Sequence, residues 1–263
     1  MKIALMDSGI GLLAAAAAVR RLRPDADLVL SSDPDGMPWG PRTPDDLAGR
    51  ALAVARAAAE LRPDALIVAC NTASVHALDA LRAELEPAIP VIGTVPAIKP
   101  AAAAGGRVAI WATPATTGSP YQRGLIRDFA TGARVTEVPC PGLADAVEAA
   151  DDAAVTAAVA AAAALTPADV TDVVLGCTHY ELTEGPIRAA LAARTGGAEL
   201  VFHGSAEPVA VQALRRIGAT AEPGLPRTGS LTVLHSGRVA TLPAAAFAYA
   251  EGRLLAGQGA PVG

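Results

Sequence analysis

Two stretches of this chain each set a cysteine between an apolar run and a row of hydrogen-bonding residues. They read "LIVACNTAS", Leu66 to Ser74, and "VVLGCTHYEL", Val173 to Leu182. Free cysteine is among the most buried residue types and usually behaves as a small hydrophobe, so a filler role is the default. Cys140, in "VPCPGL" between prolines, takes that plain reading. Cys70 and Cys177 differ because polar residues follow each of them. A strand-end thiol facing helix N-terminal amides has its thiolate stabilised, which lowers a pKa that starts near 8.5.

Several chemistries could use such thiols. A zinc site could take Cys70 with Cys177 and His179, but the chain has no Cys-x-x-Cys pair and no paired histidines. A redox pair is a second reading, although redox motifs set their two thiols close in sequence. A Cys–His hydrolase would need one thiol and leave the other unexplained. Two thiols on opposite faces of one substrate suit a different chemistry, in which one removes a proton from a carbon and the other delivers one. That scheme inverts a stereocentre and needs neither cofactor nor metal.

These residues must be positioned by a regular scaffold. Short apolar runs at Ile3–Met6, Leu28–Leu30, Leu66–Ala69, Pro90–Ile92 and Val108–Trp111 read as strands. So do Val135–Val138, Val173–Leu175, Leu200–Phe202 and Leu231–Leu234. Between them, "GLLAAAAAVRRLRP", "DDLAGRALAVARAAAELRP" and "ADAVEAADDAAVTAAVAAAAALTP" have helical composition. Near-continuous apolar strands alternating with helices predict an α/β protein with mostly parallel sheets flanked by helices. Four strands run into small polar residues: Asp7-Ser8-Gly9, Cys70-Asn71-Thr72, Thr113 to Thr117, and Cys177-Thr178-His179. Ligands of open parallel sheets bind at such carboxyl ends. "DALIVACNT" and "DVVLGCTH" also echo one another, which predicts two related halves with one thiol each.

Composition narrows the partners. A net charge of −5 and a 3% aromatic content argue against a nucleic-acid binder. The N-terminus lacks the long apolar region of a secretory signal, and the Ala-rich run from Ala153 to Leu165 is too short to span a bilayer. Three scattered cysteines favour reduced thiols over a disulfide framework. The expectation is a cytoplasmic protein with a small-molecule partner, no nucleic acid and no membrane, homodimerisation being left open.

"DSGIG", "ACNTAS", "PVIGTVPAIKPAA", "ATPATTGSPY", "CPGLADAVE" and "LGCTHYEL" resemble, in this order, the glutamate racemases of the cofactor-independent Asp/Glu racemase superfamily. The resemblance runs from Lys2 to about Ala210 and implies two pseudo-symmetric α/β domains with the active site in the cleft between them. Residues 1–95 plus 207–263 would form the first domain and 96–206 the second. It also implies that glutamate is the substrate and that D-glutamate is made for peptidoglycan, the alternatives being a related racemase acting on aspartate or another amino acid, or a catalytically lapsed amino-acid-binding protein. Cys70 would take the α-proton of D-glutamate and Cys177 that of L-glutamate. Asp7 would assist the first thiol and His179 the second. Ser8, Asn71, Thr72 and Thr178 would hold the substrate's amino and carboxylate groups, with Trp39, Gly40, Thr113, Thr116 and Glu148 also at the site.

Read without the resemblance, Asp7 caps a helix, Asn71 and Thr72 shape a turn, and His179 is a satisfied polar residue. His76 and His235 match no role. Four positions depart from the family pattern. Leu12 replaces a second glycine after "DSGIG", and Trp39 replaces the tyrosine of "PYG". Glu181 replaces the proline after "GCTHY", and His203 stands where an acidic residue is common.

Overall fold

The computed structural model describes residues 1–257 except 104 and 198. The chain divides into two compact units, Met1–Val95 with the chain from Ala206 onward, and Pro96–Ser205. The first unit opens with β1 (Lys2–Asp7), α1 (Leu12–Leu22), β2 (Asp27–Ser32), α2 (Pro44–Ala59), β3 (Ala65–Val68), α3 (Asn71–His76), α4 (Leu78–Leu85) and β4 (Val91–Gly93). The second holds α5 (Ile98–Ala102), β5 (Arg107–Ala112), α6 (Pro120–Phe129), β6 (Arg134–Pro139), α7 (Leu143–Glu148) and α8 (Asp152–Leu165). It ends with β7 (Asp172–Leu175), α9 (Thr178–Glu181), α10 (Glu184–Arg194) and β8 (Val201–His203). The chain then returns to the first unit with α11 (Ala206–Arg216), β9 (Leu231–His235), β10 (Arg238–Ala240) and α12 (Ala250–Leu255).

The first unit has a six-stranded sheet in the order β10-β9-β2-β1-β3-β4, parallel except for β10. Its central strand β1 buries Ile3, Ala4, Leu5 and Met6 completely, as a strand covered by helices on both faces must. Arg20, 2% exposed on α1, secures the returning chain by donating to the carbonyls of Pro24, Ala26 and Ser230. Gly229 is required beside it, because a Cβ there would lie 2.0 Å from the Ala26 carbonyl oxygen. The second unit has an all-parallel sheet, β6-β5-β7-β8. There Trp111 of β5 is fully buried, and its indole N–H donates to Thr166 Oγ1 just past α8.

Each expected apolar run forms a strand, and β10 is an addition to them. Ser236 (φ 47) and Gly237 (φ 79) turn β9 back on itself in a two-residue loop. Positive φ at both positions is what the twist of paired strands favours. The Ala-rich stretch after Gly142 also differs from one continuous helix. At its break, Ala150 adopts φ 51, Ala150 N–H donates to Val147 O, and Asp151 N–H donates to Ala146 O. This pair of bonds is a Schellman ending for α7. Asp151 then caps α8 by accepting from Ala154 N–H at 3.0 Å. The break leaves Glu148 at the end of α7.

Candidate active site

In the first unit, β1 and β3 are sheet neighbours with Met6 opposite Val68, so Asp7 and Cys70 belong to adjoining strand ends. Asp7 is fully buried, and its Oδ1 accepts from Ser8 N–H at 2.7 Å. Cys70 is 7% exposed, extended (φ −142, ψ 119), and stands at the N-cap position of α3. Asn71 is buried and Thr72 half-buried on the first turn. Behind them, Thr94 Oγ1 and Ser74 Oγ both donate to Val68 O, and Thr94 N–H donates to Ser74 Oγ. The two hydroxyls thereby fix the end of β3 where it delivers Cys70. Ser74 belongs to the "ACNTAS" motif, whereas Thr94 went unassigned in the sequence although it too is a polar residue at a strand end.

Trp39 lies inside this unit. It is 1% exposed in the same apolar cluster as Met6, Cys70 and Ala73, and its indole N–H donates to Asp33 Oδ2 at 3.0 Å. Asp33 also accepts from Ser236 Oγ and meets Arg50. A Cβ on Gly36 would fall 1.9 Å from Asp33 Oδ2, so the loop closes directly over this carboxylate. Trp39 is thus a packed ring with its polar edge satisfied internally. Gly40 is exposed one residue on. Asp33 is a further polar strand end, after "LVLSS", that the strand-end pattern did not single out. Leu12, the second departure, is 3% exposed at the start of α1 and is absorbed by the core.

In the second unit, Cys177 follows β7 with nearly the same backbone as Cys70 (φ −141, ψ 136) and stands at the N-cap position of α9. It is the more open of the two. Gly176 precedes it of necessity: a Cβ there would come 2.7 Å from the Trp111 carbonyl oxygen on β5. His179 is 7% exposed, with Nδ1 3.9 Å from Cys177 Sγ and Nε2 2.9 Å from Glu148 Oε2. The Glu148 contact holds the ring with Nδ1 facing the sulfur. A nucleophile or base thiol, an imidazole and an orienting carboxylate form the general arrangement for moving a proton through sulfur. Glu148, expected near the substrate, is thus also the group that sets the imidazole.

Thr178 is buried beside Cys177. Thr113 and Thr116 follow β5, the neighbour of β7, and share a hydroxyl hydrogen bond of 3.2 Å. Gly118 (φ 70) closes their loop by donating to Gln122 Oε1 and Glu137 Oε2, two residues absent from the sequence-based set. Cys140 directly follows β6 at 1% exposure, and burial, aided by the nearby charge of Cys177, pushes its thiol up to about 12. It stays protonated at any neutral pH. His203 bonds Asp172 Oδ1 at 2.8 Å at the root of β7, and His76 is exposed on α3. Among the described residues no three His, Cys, Asp or Glu side chains gather into a metal site. None of the described helices is long and apolar enough to cross a membrane.

A family model for Asp/Glu/Hydantoin racemase matches residues 11–221. The chain belongs to this racemase family. It is 42% identical over 194 residues to a glutamate racemase of Roseiflexus sp., covering 71% of this chain and 70% of that one. A glutamate racemase of Pseudomonas putida is 35% identical over 222 residues, 82% of each chain. Among solved structures, the Escherichia coli glutamate racemase, crystallised with L-glutamate and the activator UDP-MurNAc-ala, superposes with a TM-score of 0.73 at 27% identity. That match covers 91% of this chain and 99% of the other. As a member of the racemase family the protein is an isomerase, and its α/β fold with mostly parallel sheets is the fold of these racemases.

Proposed function

We propose that the protein interconverts L- and D-glutamate without a cofactor, using Cys70 and Cys177 as the two bases, and supplies D-glutamate for peptidoglycan in the cytoplasm. The observation that carries the mechanism is the Cys177–His179–Glu148 chain at one strand end, repeated in backbone form by Cys70 beside Asp7. The choice of glutamate is supported by the glutamate racemases to which the chain is similar. The Trp39 and Leu12 departures, which could have argued for a different amino acid, are both taken up by packing.

In this reading Cys70 and Cys177 each serve their own face of the α-carbon. From D-glutamate, the Cys70 thiolate takes the α-proton, leaving the electron pair on the carbanion. Cys177, as a thiol, delivers its proton to the other face, and its thiolate is then ready for L-glutamate. An α-proton is weakly acidic, so fixed donors around the substrate carboxylate must stabilise the developing charge. Ser8, Asn71, Thr72 and Thr178 supply those donors, with Gly40, Thr113 and Thr116 alongside.

The test is a polarimetric assay of the purified enzyme with each enantiomer of glutamate and aspartate. Decay of rotation toward zero from either hand of glutamate, at a kcat/KM well above that for aspartate, supports the proposal. Rotation that persists with glutamate but decays with aspartate moves the substrate assignment. Persistence with both contradicts a working racemase of acidic amino acids.

A further inference from the structure

Helix α9 carries Thr178, His179 and Tyr180 in its four residues, directly after Cys177. Its backbone is held by short-range bonds, with Tyr180, Leu182 and Thr183 N–H donating three residues back. So short a helix has little intrinsic stability, and tertiary contacts must fix its direction. One such contact is Tyr180, fully buried, whose hydroxyl donates to Cys140 O at 3.3 Å. Another comes from Glu181, at the position where the family resemblance leads us to expect proline. Its Oε1 accepts from Ser205 N–H at 2.9 Å and from Ser205 Oγ at 2.7 Å. Ser205 is 4% exposed, and Gly204 lies flush against the same carboxylate: a Cβ there would be 2.5 Å from Glu181 Oε2. A charged acceptor on two donors is a strong tether, and the missing Cβ of Gly204 is what lets it close.

We propose that Glu181 is a positioning residue for the Cys177–His179 pair. Its carboxylate pins α9 to the Gly204–Ser205 turn and so keeps His179 Nδ1 directed at the sulfur. The proposal rests on the reading of His179 as the proton partner of Cys177. It assigns the tether to a side chain particular to this sequence. Glu181 itself exchanges no proton with substrate; it acts through the helix.

The test compares Glu181→Ala, Glu181→Gln, Ser205→Ala and the double variant Glu181→Ala/Ser205→Ala in the full-length protein. Two readouts are needed: steady-state racemisation of glutamate across pH, and iodoacetamide alkylation of Cys70 and Cys177 resolved by peptide mass spectrometry without substrate. Glu181→Ala is expected to lower kcat about tenfold with KM little changed, because a small misalignment of a reacting group is costly. It should also shift the pH profile and change the Cys177 alkylation rate while leaving that of Cys70 unchanged. Glu181→Gln, which keeps an acceptor for Ser205, should recover most of the loss. Ser205→Ala should act in the same direction, and the double variant should be no worse than Glu181→Ala, as for two ends of one contact.

A folded Glu181→Ala enzyme with wild-type kcat and wild-type Cys177 alkylation overturns the proposal. Equal changes at both cysteines overturn it as well, since they mark general loosening. If Glu181→Ala fails to fold, Gly204→Ala, which drives a Cβ onto the Glu181 carboxylate, decides by the same two readouts. The alkylation arm needs no turnover, so an enzyme inactive on glutamate refutes the proposed function and still tests the tether.

Discussion

The two thiol-bearing strand ends share a backbone and differ in what surrounds the sulfur. Cys70 and Cys177 have φ values of −142 and −141, stand at N-cap positions, and lead into short helices. Cys70 is enclosed, preceded by Ala69, with the buried carboxylate Asp7 at the neighbouring strand end. Cys177 is more open, preceded by an obligatory glycine, and faces an imidazole backed by Glu148. The backbone repeats because both halves must present a thiol at the carboxyl edge of a parallel sheet. The side chains differ: a buried carboxylate stands at the strand end beside Cys70, and a histidine oriented by Glu148 stands beside Cys177.

The equivalence of the two thiols is broken most directly by removing either one. Cys70→Ser and Cys177→Ser should each lower the racemisation rate by roughly a thousandfold or more, in line with losing a positioned acid–base group. Circular dichroism on either enantiomer measures this, and one variant retaining a tenth of the wild-type rate would make the thiols unequal. The difference between the halves is sharpened by their partners. His179→Gln and Glu148→Gln should each cost about a hundredfold in kcat, and the pair together little more than His179→Gln alone. Multiplying losses would mean that Glu148 acts independently of the ring.

Stability separates Cys140 from the two strand-end thiols proposed as bases. Its folded pKa, raised to about 12 by burial, exceeds the unfolded value, so the unfolded chain releases this proton first. The stabilisation is complete below about pH 8.5 and is lost as pH rises toward 12, at up to roughly 1.4 kcal/mol per unit. Denaturant melts of wild type and Cys140→Ala should diverge in that alkaline window and run parallel below it. The residues before the thiols give a smaller contrast. Gly176→Ala forces a Cβ against the Trp111 carbonyl and should cost about 1–3 kcal/mol, whereas Ala69→Gly should cost about 1 kcal/mol. Smallest of all, Ala150→Gly relieves a positive φ at the end of α7 and should stabilise by about 0.5–1 kcal/mol in the same melts.

Much of this was legible in the sequence, for identifiable reasons. Parallel strands buried on both faces write themselves as unbroken apolar runs, so β1, β3, β5 and β7 and their polar endings could be read directly. The β9–β10 hairpin was less visible because its signal is a Ser-Gly pair rather than a second apolar run. The break between α7 and α8 hides in alanine, whose helical propensity masks Ala150 in a left-handed turn. Partners distant in sequence were harder still. That Glu148 orients His179, that Asp33 takes the Trp39 N–H, and that Glu181 holds Ser205 depend on tertiary packing, which residue type alone does not encode.

The central claim is that two thiols serve the two faces of one α-carbon. The most direct measurement is proton NMR of glutamate turned over by the wild-type enzyme in deuterated water, starting separately from pure L and pure D enantiomers. The account predicts that the product of each reaction carries deuterium at Cα from its first appearance, while unreacted substrate keeps its proton. Early product that retains the original α-proton in either direction would contradict it, since one base would then be returning the proton it removed.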